Sequence, residues 1–133
     1  MDSEKKYVLR RLAIAWNNLD ARYLEDILDE NVVYESQWVF IPIEGKNHVL
    51  EHLTNKFKMI EGQKKTHTME VFAEMATHPS QRNQDIVVLS QMTKNEVTKV
   101  SLLVQLKNRK ISRIDVCFIP DPESAILSGD RPK

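Results

Sequence analysis

DIVVLSQMTKNEVTKVSLLVQLKNRKISRIDVCFI, residues 85–119, is the stretch that decides the fold. It holds three runs rich in Val, Ile and Leu, separated by the short polar breaks Lys94-Asn95-Glu96 and Asn108-Arg109. Apolar runs of this length bounded by turn residues read as strands, here over 85–93, 97–106 and 110–119. Connections this short join antiparallel neighbours, so the stretch is a meander and the sheet is expected to be antiparallel. Upstream, residues 66–77 alternate, with Met69, Val71, Ala73 and Met75 on one face, and 78–84 is a polar turn.

Before residue 66 the period changes from two to 3.6. Val8, Leu9, Leu12, Ala15, Trp16 and Leu19 place one apolar stripe on a helix over 5–19. Asp20 is a suitable cap for a second helix with the stripe Tyr23, Leu24, Ile27 and Leu28. Residues 31–38 read as a strand. Pro42 and Gly45 mark a connection, and a third helix over 46–60 buries Val49, Leu50, Leu53, Phe57 and Ile60 before Gly62 ends it. The expected fold is α+β, with three N-terminal helices packed on a strongly curved antiparallel sheet. A long meander covered on one side bends around its helices, giving a cone with an internal pocket. Residues 1–119 form this single domain. The tail 120–133 has little core to offer and is expected to be flexible, with Ile126-Leu127 able to latch onto a neighbour.

Composition excludes several function classes. At 133 residues the chain is one domain in size, and 41% hydrophobic with 29% charged residues is ordinary globular usage. Nineteen basic residues balance nineteen acidic ones, so no single-sign field marks a nucleic-acid partner. Near-zero charge also lowers the barrier to self-association. Cys117 is the only cysteine. The N-terminal residues lack the apolar core of a secretory signal, and no run approaches the roughly 20 apolar residues of a membrane span. A cytoplasmic protein without nucleic-acid or membrane partners is expected.

The segments AWNNLDARYLEDILDENVVYES (15–36) and IEGKNHVLEHLTNKF (43–57) resemble the nuclear transport factor 2-like superfamily. That superfamily includes ketosteroid isomerases and SnoaL-like polyketide cyclases, and the likeness spans about residues 5–119. The resemblance places Glu35 where the isomerases keep their general base. It puts Leu12 and Leu102 where those enzymes keep an oxyanion-binding tyrosine and a protonated aspartate. Ile114 and Phe118 correspond to pocket-lining positions, and dimerisation through the sheet is common in the family.

The candidate chemistry is therefore short. Glu35 is the candidate catalytic residue, a base if it points into an apolar cavity. Trp16, Tyr34, Trp38, Phe57, His67, Ile114 and Phe118 are the candidate pocket residues. Asp115 faces the other way and reads as structural, and Cys117 as an inert thiol. His48-Val-Leu-Glu51-His52 matches a zinc-peptidase spacing, but its histidines are expected to face water without a third ligand, so no metal is assigned. Gly-rich phosphate loops are absent, and the sequence names no cofactor. The expected function is binding of a small, largely apolar molecule by a homodimer, with lyase or isomerase chemistry at Glu35 left open. The alternative is a non-enzymatic dimeric interaction module with a filled cavity. Strands such as Val87-Val88-Leu89, apolar on both faces, motivate the dimer.

Overall fold

The computed structural model describes residues 2–37 and 39–133; Trp38, one of the candidate pocket residues, lies outside the described residues. Helix α1 (Asp2–Asn18) buries Val8, Leu9, Leu12, Ala15 and Trp16, the stripe its period requires. A single 3-10 turn (Ala21–Leu24) follows, started by Asp20, whose side chain accepts from the Arg22 amide at 3.0 Å. The expected second helix is absent. Its stripe is too short to offset helix nucleation, and Ile27 and Leu28 are used by the sheet instead. The Ile111 amide donates to the Ile27 carbonyl at 2.7 Å, and strand β1 (Leu28–Ser36) starts three residues early.

Strand β2 (Ile43–Glu44) is two residues long and precedes α2 (Lys46–Lys65). Gly62 does not stop α2. Its surroundings are open, and one exposed glycine costs a helix only about 1 kcal/mol. The helix ends where Thr66, His67 and Thr68 turn the chain, with His67 at φ +59° and the Thr68 amide donating to the Gln63 carbonyl. The meander is β3 (Met69–His78), β4 (Gln84–Thr93), β5 (Val97–Lys107) and β6 (Lys110–Cys117).

The sheet order is β2-β1-β6-β5-β4-β3-β7, β7 being Ile126–Leu127. The meander is antiparallel as expected, but β1 pairs parallel with β6, so the sheet is mixed. Adjacent turns dictate antiparallel pairing only for β3 to β6; β1 reaches β6 after the whole intervening chain, which leaves its direction open. The sheet is curved and unclosed, with two helices on its concave face instead of the expected three.

Residues 120–133 add little apolar mass and are fastened by polar bonds. Ser101 donates to the Pro120 carbonyl at 2.7 Å, and His78 Nε2 lies 2.7 Å from the Asp121 carbonyl. Strand β7 then pairs with Ala76 and Thr77 of β3, within the same chain rather than on a neighbour. The buried Glu74 carboxylate accepts from the Gly129 amide and from Arg131. On the outer face Ala76, Ile86 and Val88 form a second small core under Leu103 and Ala125. Val88 is only 1% exposed, so the apolar strip that motivated a second copy is covered by this chain itself.

Asn17 joins α1 to the sheet edge like a short strand. Its amide donates to the Ala73 carbonyl at 2.9 Å and the Pro132 carbonyl at 2.7 Å, and its oxygen accepts from the Ala73 amide at 2.7 Å. Ala73 is fully buried, so its amide has no water to turn to. Asn17→Ala is expected to destabilise the chain by about 1–3 kcal/mol in urea melts. A loss below about 0.5 kcal/mol would mean that this clamp contributes nothing net.

Candidate functional site

Helix α2 carries two stripes. Val49, Leu53, Phe57 and Ile60 sink into the core. Beside them His52, Lys56, Met59 and Gln63 recur at i, i+4, i+7 and i+11, a second line along the same helix. Its last three members wall a cleft of about 540 Å³ between α2 and the sheet. Trp16 of α1 forms one side, held edge-to-face against Phe57 with ring centroids 4.9 Å apart. Met69, Val71, Leu89, Val100 and Val116, from four successive strands, form the opposite wall, and Gln91, Glu96 and Thr98 supply a polar rim.

One cationic side chain lines this space. The Lys56 ammonium lies 5.8 Å from the centre of the Trp16 ring, and burial holds its pKa below the ordinary lysine value. One turn earlier, burial lowers the His52 pKa and the nearby Lys56 charge adds to the effect. His52 packs on Tyr34, ring centroids 5.1 Å apart. Tyr34 is 1% exposed, and burial raises its pKa, so its hydroxyl stays protonated. The Tyr34 hydroxyl and His52 Nε2 are both buried and have no hydrogen-bond partner among the described residues.

The candidate residues are scattered relative to the cleft. Trp16 lines it. Tyr34, Phe57 and Ile114 are buried in the core behind its walls. His67 is exposed at the end of α2, beside a separate shallow depression with Thr68 and Lys94. Phe118 follows the end of β6 and is 39% exposed. Glu35 is on the other face of the sheet. Tyr34 and Ser36 share the inner face with Ile114 and Val116, which leaves Glu35 outside in register with Asp115. There Arg113 donates to the Glu35 carboxylate and, through Nε at 3.1–3.2 Å, to Asp115. The Glu35 side chain is 46% exposed. A carboxylate so placed has neither an apolar surround nor a view of the cleft.

His48 and His52 do not face water together. His48 is exposed with Nδ1 3.1 Å from the Glu44 carbonyl, whereas His52 turns inward. Among the described residues no three His, Cys, Asp or Glu side chains converge as a metal site would require. Burial raises the Cys117 pKa, and its thiol donates to the Ile119 carbonyl at 3.1 Å. Among the described residues no helix is long and apolar enough to cross a membrane.

No protein-family model and no curated protein matches the chain. Solved structures do. A protein of unknown function from Mesorhizobium loti, described as NTF2-like, superposes with TM-score 0.64 at 10% identity, over 96% of this chain and 93% of that one. A steroid delta-isomerase from Pseudomonas aeruginosa gives 0.62 at 13% identity, over 86% and 78%. A protein from Jannaschia described as a SnoaL-like polyketide cyclase gives 0.60 at 10% identity, over 86% and 84%. The chain has the nuclear transport factor 2-like fold. At these identities the likeness is one of fold, and function rests on the residues of the cleft.

Sequence reading missed most of the lining because it weighed aromatics. The signal was present in the second stripe of α2, at helical spacing beside the core stripe, and in the inward parity of Val71, Leu89, Val100 and Val116.

Two measurements probe the buried polar pair. The Tyr34 hydroxyl has no bond to lose, so Tyr34→Phe should leave stability unchanged or raise it by up to about 1 kcal/mol. A clear loss would reveal a partner for the hydroxyl. The folded His52 pKa lies below the ordinary 6.5, so the unfolded chain takes up this proton first as pH falls. Its contribution to stability is complete above about pH 6.5 and is lost as pH falls from that value to the folded one. Melts from pH 7.5 to 5 should show this slope in the wild type and a shallower one in His52→Gln; equal slopes would exclude it.

Proposed function

We propose that this chain binds a small, largely apolar molecule in the cleft between α2 and the concave face of the sheet. The observation that carries the reading is the cleft itself, whose volume of about 540 Å³ exceeds the roughly 300 Å³ a ligand site needs. Its walls support the same reading. They combine Trp16, Ile60, Met69, Val71, Leu89, Val100 and Val116 with a few polar groups, the usual make-up of a small-molecule site. The alternative of an interaction module filled by its own aromatics loses its premise, since Tyr34 and Phe57 pack outside this space.

The reading is binding rather than proton abstraction at Glu35. A general base must come within about 3 Å of the proton it removes, or within one water of it. Glu35 is on the opposite face of the sheet, bound to Arg113. The apolar Leu12 and Leu102 leave the isomerase pattern without its oxyanion donors, usually the largest catalytic contribution.

Native mass spectrometry of freshly purified protein tests the proposal. A co-purified small molecule is expected in the wild type and in Glu35→Gln. It should be lost in Val71→Trp, where the indole fills the cleft from β3 at a cost of about 1–3 kcal/mol in stability. A bound molecule that survives Val71→Trp, or that is lost in Glu35→Gln, would move the site elsewhere.

A further inference from the structure

The binding reading above leaves the chemical class of the guest open, and the charges of the cleft narrow it. We propose that the guest is an organic acid, an apolar body ending in a carboxylate that Lys56 holds. The inference rests on the binding reading and adds to it the identity of the head group.

Among the described residues that line the cleft two are charged, Lys56 and Glu96. They are not equivalent. Glu96 is an exposed residue at the β4–β5 turn, on the polar rim with Gln91 and Thr98. Lys56 is half-buried on α2 with its ammonium over the Trp16 ring, and Trp16 is itself 3% exposed. The sheet side of the cleft carries Met69, Val71, Leu89, Val100 and Val116, with Gln91, Glu96 and Thr98 at the rim; along the helix of Lys56 are Met59, Gln63 and His52. A cation in such surroundings lacks most of its hydration, so an anion brought in with an apolar body meets a strong electrostatic field.

Behind the wall at this point two further polar groups are buried, His52 one turn from Lys56 and Tyr34 packed on His52. The Tyr34 hydroxyl is held protonated by burial, so it is a donor. His52 is held toward its neutral form, in which one ring nitrogen still carries a proton. Neither the Tyr34 hydroxyl nor His52 Nε2 has a hydrogen-bond partner among the described residues. Lys56 is thus the donor end of the lining, with His52 one turn earlier on the same helix and Tyr34 packed behind the wall, and the carboxylate is an acceptor-only group that matches its ammonium. A neutral lipid or hydrocarbon would use the walls and leave this end unused. A cationic guest would be repelled by it.

Binding of an acid also has a proton consequence. Burial of Lys56 penalises its charged form in the empty cleft, and a carboxylate beside it reverses that penalty. The pKa of Lys56 is therefore expected to rise when the acid binds.

Isothermal titration with decanoate and with methyl decanoate, its neutral ester, tests the proposal in the full chain at pH 7.5. Wild type should bind decanoate at least about tenfold more tightly than the ester. Lys56→Met, which keeps an apolar chain of similar length, should abolish that preference. Nitrogen-15 NMR of the lysine side chains should show the Lys56 titration moving upward when decanoate is added to wild type. Equal affinities for acid and ester in wild type, or a preference intact in Lys56→Met, overturn the acid head group while leaving the binding reading standing. If neither probe binds wild type, or Val71→Trp binds both as well as wild type, the cleft itself is overturned and the head group with it. A Lys56→Met variant that melts well below wild type is replaced by Lys56→Gln under the same criteria.

Discussion

Parallel pairing of β1 with β6 is the constraint on which the rest of the molecule depends. It joins the N-terminal third of the chain to the end of the meander, through a register that sets Tyr34 beside Ile114 and Ser36 beside Val116. Once that register holds, side-chain parity assigns every residue of β1 to a face. Tyr34 goes under α2, where it meets His52. Glu35 goes outside, where Arg113 and Asp115 receive it. A shift of one residue would exchange these roles and bring a carboxylate under the helix. The register shifts between Leu28 and Val33, and beyond it the inner face stays apolar where α2 covers it, with Tyr34 beside Ile114.

The same register explains what the sequence did and did not reveal. The meander was legible because its strands are joined by short polar turns, a local signal that specifies both period and direction. Helix α1 was legible because its stripe runs for about three turns, from Val8 to Leu19. The partner of β1 was not, since no local signal links residue 33 to residue 113. The missing second helix failed for a related reason. Tyr23, Leu24, Ile27 and Leu28 have helical spacing, but Ile27 and Leu28 gain more from the bond with Ile111 and from burial against the sheet than one short turn could offer. At the far end, residues 120–133 have too few apolar groups to advertise a place in the fold. Their anchors are the polar atoms of Ser101, His78, Glu74 and Asn17, each of which reads as an ordinary surface residue in isolation.

The site was legible in outline only. The aromatic residues mark the general region, yet Tyr34 and Phe57 serve as buttresses behind the cleft. Its surface is made of residues that draw no attention in the sequence. This division is physical. An edge-to-face pair such as Trp16–Phe57 fixes the position of α1 against α2, and the space beside it stays open because the sheet residues opposite are small or flexible: Val71, Val100 and Val116, with Met69 at the margin and Met59 of α2 across from it. Larger side chains on these strands would close the cleft without disturbing the fold.

The two faces of the sheet thus treat charge in opposite ways, and this decides the character of the site. Outside, Arg113 lies between Glu35 and Asp115 in contact with water, an arrangement in which each charge is matched and hydrated. On the concave side Lys56 lines the cleft with its ammonium over the Trp16 ring, one turn from a histidine whose protonation it disfavours, and that histidine packs on Tyr34. The register places Glu35 on the other side of the sheet, and the carboxylate that lines the cleft is Glu96, exposed at the β4–β5 turn. On the binding reading proposed above, a single ammonium set among apolar lining residues would discriminate by the charge of the bound molecule.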